Sequence, residues 1–142
     1  ESFGRQALVV SMDVKEHENG KYEVIVGYGK EATGMTPVAW AKRVEKLGVG
    51  EILLNSIDRD GMMQGYDLKL VKLVADAVKI PVIACGGVGN WQHLVDGVKQ
   101  GHAAAVAAAN IFHFSEQSTK KAKDYMYQAG INVRHTGFVH QV

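Results

Sequence analysis

Four short apolar runs in this sequence each end in residues that could do chemistry. The run over residues 7–14 carries Asp13 at its end. The run Glu51–Ser56 closes on Asn55 and Ser56 and leads into Asp58-Arg59-Asp60-Gly61. The run over 80–85 ends in Cys85 and passes into Gly86-Gly87-Val88-Gly89. The run over 103–109 closes on Ala109 and meets Asn110. A carboxylate held over a low-dielectric pocket is a candidate general acid or base, which makes Asp13 and Asp60 the candidate catalytic pair. Paired glycines let backbone N–H groups approach an anion closely, because no side chain intervenes. A phosphate at Gly86-Gly87 would also meet the helical turn that starts near Asn110. Each feature has a plainer reading: Gly86-Gly87 as a tight turn, Asp60-Gly61 as a turn, Asp13 as a capping group. Two anion-competent loops on successive runs favour phosphate over a turn alone.

Glu51 opens an apolar run at the end opposite these loops, either as a solvated start or as a buried charge needing a cationic partner. The six histidines show no metal-ligand spacing. No cofactor is expected. His113, between two phenylalanines, reads as packing, and Cys85 as a small buried side chain. Met62 and Met63 fall in a loop and carry no assignment.

The elements that must hold these residues alternate. Residues 7–14 read as a strand buried on both faces, as in parallel sheets. Residues 21–29 alternate and follow Asn19-Gly20, a hairpin-turn signal, so 15–29 is expected to form a β-excursion. Thr36-Pro37 opens a helix to about Leu47, stopped by Gly48, with Trp40, Val44 and Leu47 on its core face. The strand Glu51–Ser56 follows. Asp67 caps a helix to about Lys79, residues 80–85 form a strand, Asn90 caps a helix to about Gln100, and residues 103–109 form a strand of small side chains. A last helix is expected over 115–129, ended by Gly130, with an irregular tail over 131–142. This βαβαβαβα order calls for parallel strands covered by helices, closed either as a doubly wound sheet or as a barrel. In both, ligands bind beyond the carboxyl ends of the strands, where the residues above lie.

Bulk composition fits one soluble domain over 1–142. Of 142 residues, 46% are hydrophobic and 22% charged, and the net charge of +1 gives no nucleic-acid footprint. No apolar stretch reaches the roughly 20 residues a membrane span needs. A single cysteine rules out an internal disulfide and points to a cytoplasmic setting. The opening on Glu1 suggests a piece of a longer protein.

The segments GEILLNSIDRDG (50–61), GYD (65–67), PVIACGGVG (81–89), NIFHF (110–114) and INVR (131–134) resemble the cyclase subunit of imidazole glycerol phosphate synthase. The resemblance spans residues 3–134 and covers the carboxyl-terminal half of that family's barrel. It implies an α/β fold, the (βα)4 half of a TIM (β/α)8 barrel. It further implies a lyase-type cyclisation of a doubly phosphorylated ribotide, using ammonia from a glutaminase docked at the barrel bottom. In that family two aspartates act as acid/base groups. Asp13 matches one, and the other belongs to a first strand with no counterpart here, so the half alone is expected to be inactive. Asp60 matches a pocket aspartate. Gly86, Gly87, Ala109 and Asn110 match phosphate loops, with Asn55 and Ser56 beside them, and Glu51 matches a residue at the ammonia entrance. Asn55, Cys85 and Asn110 depart from the histidine-pathway pattern and look more like a branch that amidates nucleotide-linked sugars for surface polysaccharide. A further possibility is a non-catalytic phosphate-binding scaffold. Four parallel strands leave open edges and an uncovered apolar face, so a homodimer closing eight strands is expected.

Overall fold

The structure, a computed structural model, describes residue 4 and residues 7–112 and 119–134. Its elements run in chain order as β1 (Val9–Glu16), β2 (Tyr22–Val26), β3 (Glu31–Ala32), α1 (Pro37–Lys46), β4 (Glu51–Ser56), α2 (Leu68–Ala75), β5 (Val82–Cys85), α3 (Trp91–Lys99), β6 (Ala105–Val106) and α4 (Thr119–Gln128). A 3₁₀ turn at Asn110–Phe112 follows β6.

Three helices start where a side chain can accept from an otherwise orphaned N–H. Thr36 accepts from Ala39 N, Asp67 from Leu70 N and Asn90 from His93 N. Gly48 (φ +86°) takes the left-handed conformation just after α1.

The strands form one sheet in the order β3-β2-β1-β4-β5-β6. The pairs β1–β4, β4–β5 and β5–β6 are parallel, and β1–β2 and β2–β3 antiparallel. The parallel strands follow chain order without reversal. Right-handed crossovers then place every helix on the same face of the sheet. A doubly wound sheet reverses its order and has helices on both faces. This one does not, so the architecture is the (βα)4 half of a TIM barrel, with α1 on β1 and β2, α2 on β5, and α3 on β6.

Burial follows the strand period of two. Ile52, Leu54 and Ser56 of β4 and Val82 and Ala84 of β5 face the helices and are buried, alongside Met12, Val14, Leu70, Val74 and Leu94. The opposite face, which would line a closed barrel, is more open. Its registered rows are Val9–Glu51, Ser11–Leu53–Ile83–Ala105 and Asp13–Asn55–Cys85. Val9 is 53% exposed and Ala105 is also exposed. Among the described residues no strand lies beyond β6. On the far side of β1, β2 covers only Asp13 to Glu16.

Carboxylates at helix ends grip the loop of the next unit. Glu45 Oε1, in α1, accepts from Lys79 N at 2.6 Å and Ile80 N at 3.3 Å, just ahead of β5. Asp76, the C-cap of α2, meets His102 Nδ1 at 2.7 Å, just ahead of β6.

Four expectations need correction. The excursion after β1 does not end at residue 29: Gly27-Tyr28-Gly29, all with positive φ, turn the chain into β3, and Thr33 Oγ1 donates to Val24 O. α2 stops at Ala75 rather than near Lys79, since the backbone N–H groups of Lys79 and Ile80 are engaged by Glu45. The strand expected over 103–109 pairs only at Ala105–Val106, and several of its alanines are exposed rather than buried, because no neighbour covers that edge. α1 ends at Lys46 with Leu47 exposed, so Leu47 is not part of its core face. Helix positions 115–118, the tail over 135–142 and His113 lie outside the described residues.

Candidate functional site

At the carboxyl end of the sheet, β1, β4 and β5 place Asp13, Asn55 and Cys85 side by side in register. Asn55 Nδ2 donates to Asp13 Oδ1 at 3.1 Å. The other end of that amide, Asn55 Oδ1, is buried with no hydrogen-bond partner. The Cys85 thiol is half-buried. Burial pushes its pKa up, the Gly86 N–H that it accepts opposes this, and Asp60 and Asp13 add to the rise by repelling a thiolate.

Beyond Cys85 the chain bends at Gly86 (φ +87°) and Gly87 (φ +102°). A Cβ on Gly86 would lie 2.7 Å from Asn55 Oδ1 and 2.9 Å from Ser56 O. A Cβ on Gly87 would lie 2.3 Å from Gly65 O, and Gly65 N donates to Gly87 O at 2.7 Å. On Gly89 it would strike Met63 O at 2.3 Å. These glycines therefore have a requirement that the sequence alone does not disclose. The β4–α2 loop lies backbone-to-backbone on them, and its own turn is set by Ser56 O, which accepts from Arg59 N and Asp60 N. Gly65, Met63 and the half-buried Arg59, whose Cβ would lie 3.1 Å from a Cβ on Gly87, belong to the neighbourhood, although sequence reasoning assigns none of them a role there. The Gly65 of GYD was the available signal.

A small cleft of about 40 Å³ is lined by Asp60, Cys85, Gly86, Gly87, Val88, Ala108, Ala109 and Asn110. Asn110 opens the 3₁₀ turn and its Nδ2 reaches Gly61 O at 3.4 Å. Of the residues singled out from sequence, Asp60, Gly86, Gly87, Ala109 and Asn110 thus converge on one cleft. Asp13 and Asn55 adjoin it through Cys85. Two stand apart. Ser56 points to the helix side and is 4% exposed, contributing its carbonyl rather than its hydroxyl to the loop. Glu51 is at the opposite end of β4, half-buried, and makes no ion pair among the described residues.

The excursion is fastened above this end. Tyr22 Oη donates to Asp67 Oδ2 at 2.9 Å, and Glu16 N donates to Asp58 Oδ2 at 2.7 Å. Lys69 Nζ lies 5.2 Å from the Tyr22 ring centre. Tyr22 is held well above its ordinary pKa of 10.0, first by burial and then by the Asp67 carboxylate. Among the described residues no three His, Cys, Asp or Glu side chains converge to hold a metal ion, and no helix is long and apolar enough to cross a membrane.

Chemically, the cleft sets paired glycines beside a short helical turn, with two carboxylates within electrostatic reach of one thiol. Such a set suits one tetrahedral anion with an acid/base group beside it. A family described as histidine biosynthesis protein matches residues 1–118 of the sequence.

Proposed function

The chain belongs to the histidine biosynthesis protein family, and from that premise we propose that it is the phosphate-binding half of a barrel like the imidazole glycerol phosphate synthase cyclase. The observation that carries this reading is the convergence of Asp60, Gly86, Gly87, Ala109 and Asn110 on one cleft, with the Asn55–Asp13 pair beside it. The Gly86-Gly87 loop and the turn at Asn110 hold one phosphate of a doubly phosphorylated ribotide. Asp13 exchanges a proton with the substrate as general acid/base, and Asp60 is the second carboxylate at the mouth. Ammonia from a glutaminase enters at the amino ends of the strands, past Glu51. Two copies of the chain close their open edges into an eight-stranded homodimer. Titrating the ¹⁵N-labelled chain with inorganic phosphate tests the anion site. The Gly86, Gly87, Ala109 and Asn110 amide signals are expected to move together and saturate, and unmoved signals at tens of millimolar phosphate would defeat the reading.

Asn55, Cys85 and Asn110 favour a second reading within the same architecture, the synthase partner of a glutaminase in nucleotide-sugar amidation. Competition of ribotide and nucleotide-sugar for the same amide shifts separates the two. A non-catalytic phosphate-binding scaffold predicts the same shifts without turnover of ribotide and ammonium.

A further inference from the structure

Among the described residues the parallel part of the sheet stops at two open edges. One is the amino half of β1, since β2 pairs only with Asp13 to Glu16. The other is the outer side of β6, the last strand in the sheet order. In a parallel strand the N–H and C=O of one residue point to one side and those of the next residue to the other. Glu51 N donates to Leu8 O, so Leu8 turns towards β4 and Val9 away from it. Ala107 N donates to Ala84 O, so Ala107 turns towards β5 and Val106 away from it. Val9 and Val106 therefore present their backbone groups along the two open edges. Beside the β6 edge lies an open cavity of about 520 Å³, with Leu94, Val98, Phe112, Ala122, Met126 and Ile131 in its apolar wall. Val106 also lines it and faces the helices, because a Cβ on Gly97 of α3 would lie 3.0 Å from Val106 Cγ1. Leu8 alternates with the buried Met12 and Val14, which puts it on the helix face of β1, yet it is 58% exposed.

We propose that a second copy of this chain seats its Leu8 in that cavity, with its β1 paired in parallel to β6 so that its Ala7 stands opposite Ala105. This rests on the homodimer reading above and adds what that reading leaves open, the register of the junction and the side chain that carries it.

The register follows from closure. Ser11, Leu53, Ile83 and Ala105 lie in one row across this half, with no stagger between neighbours. A row followed once round a TIM barrel returns to its first strand displaced by about eight residues. A two-fold axis divides that displacement equally, about four residues at each new junction. Ala105 then meets either Ala7 or Lys15 of the second copy, and Lys15 is already paired with Glu23. An even shift keeps every side chain on its own face, so Leu8 of the second copy falls beside Val106, on the side of the cavity. The backbone alternation fits as well. Val106 N meets the Ala7 carbonyl, and Val9 N meets the Val106 carbonyl. Ala7 N is taken by Gly4 O, so the ladder starts at the Ala7 carbonyl.

Disulfide trapping on the 142-residue chain, with light scattering beside it, tests the junction. A disulfide needs Cα atoms within about 7 Å, which strand neighbours about 4.8 Å apart satisfy and a slip of two residues does not. In a Cys85→Ser background, Ala7→Cys with Ala105→Cys is expected to give a covalent dimer under mild oxidation. Val9→Cys or Ser11→Cys, each with Ala105→Cys, is expected to give none. In the otherwise unsubstituted chain Leu8→Asp should halve the mass, from near twice 15.4 kDa to 15.4 kDa, with an unchanged circular dichroism spectrum, because Leu8 is exposed in the single chain. If either set does not fold, the other decides. A dimer that traps through position 9 or 11, that traps at no pair, or that survives Leu8→Asp overturns the proposal and leaves the homodimer reading standing. A monomeric unsubstituted chain overturns both and gives the cavity to a different occupant, another protein or a small apolar molecule. The outcome of the phosphate titration changes neither result.

Discussion

Replacing Gly87 by alanine should damage this protein far more than replacing Gly61, although both glycines have positive φ. At Gly61 (φ +76°) a Cβ would meet nothing within 4 Å. The cost there is the left-handed backbone, about 1–2 kcal/mol, offset in part by the stiffer unfolded chain. At Gly87 (φ +102°) the same strain applies and the Cβ would lie 2.3 Å from Gly65 O and 3.0 Å from Gly65 C. Backbone cannot swing aside as a flexible side chain can, so overpacking adds roughly 1–3 kcal/mol. Pushing Gly65 away also endangers its 2.7 Å hydrogen bond to Gly87 O, worth about 1 kcal/mol. Together these give a loss of about 3–6 kcal/mol for Gly87→Ala against about 1 kcal/mol for Gly61→Ala. In a chain of this length that is a fall of roughly 10–20 °C in Tm. Guanidinium unfolding followed by Trp40 and Trp91 fluorescence measures both variants. Losses within 1 kcal/mol of each other would refute the claim that the β4–α2 loop, and not backbone conformation alone, requires glycine at 87.

Four more outcomes are expected. Asp67→Asn should lower the Tyr22 ionisation seen at 295 nm without returning it to 10.0, because burial, the larger cause, remains. Tyr22 and Tyr66 both titrate higher when folded, so the unfolded chain loses those protons first. Their contribution to stability is complete below pH 10 and falls as pH rises beyond it, which unfolding curves at pH 9 and 11 would check. Cys85 should react with iodoacetamide more slowly than in the denatured chain, and Asp60→Asn should speed it, since one of the charges opposing the thiolate is gone; equal rates in all three would contradict the burial described. Light scattering should give the isolated chain a mass near twice 15.4 kDa, and a well-folded monomer would show that the open edges need no partner.

Much of this fold was legible because local chemistry agrees with it. Thr36, Asp67 and Asn90 each precede a helix and each accepts the expected N–H. Glu51–Ser56 is a strand end to end because both its edges are paired in parallel. What misled was tertiary. The alanine run over 103–109 has the composition of a strand, but a strand needs a neighbour, and β6 has one on a single side. Residues 76–79 could continue a helix until Glu45, 34 positions before Lys79, takes up its N–H. In the candidate site the glycine pair was conspicuous as an anion loop, whereas its packing against Gly65 and Met63 depends on how two loops meet. The Asn55–Asp13 bond joins residues 42 apart, a pairing that only register reveals.

The two carboxylate grips at the bottom of the sheet bear on how the chain folds. Glu45 reaches forward 34 residues and Asp76 reaches 26, each tying one unit to the next and none skipping a unit. Contacts of this span close short loops, whose entropic cost is small beside that of joining distant ends. Parallel pairing across such spans is slow to form, so folding is expected to proceed in steps. The half-barrel is therefore expected to assemble as a zipper, each βα unit docking on the one before it. Glu45→Gln, which weakens a tie across that growing front, should slow folding more than it speeds unfolding if the tie forms early.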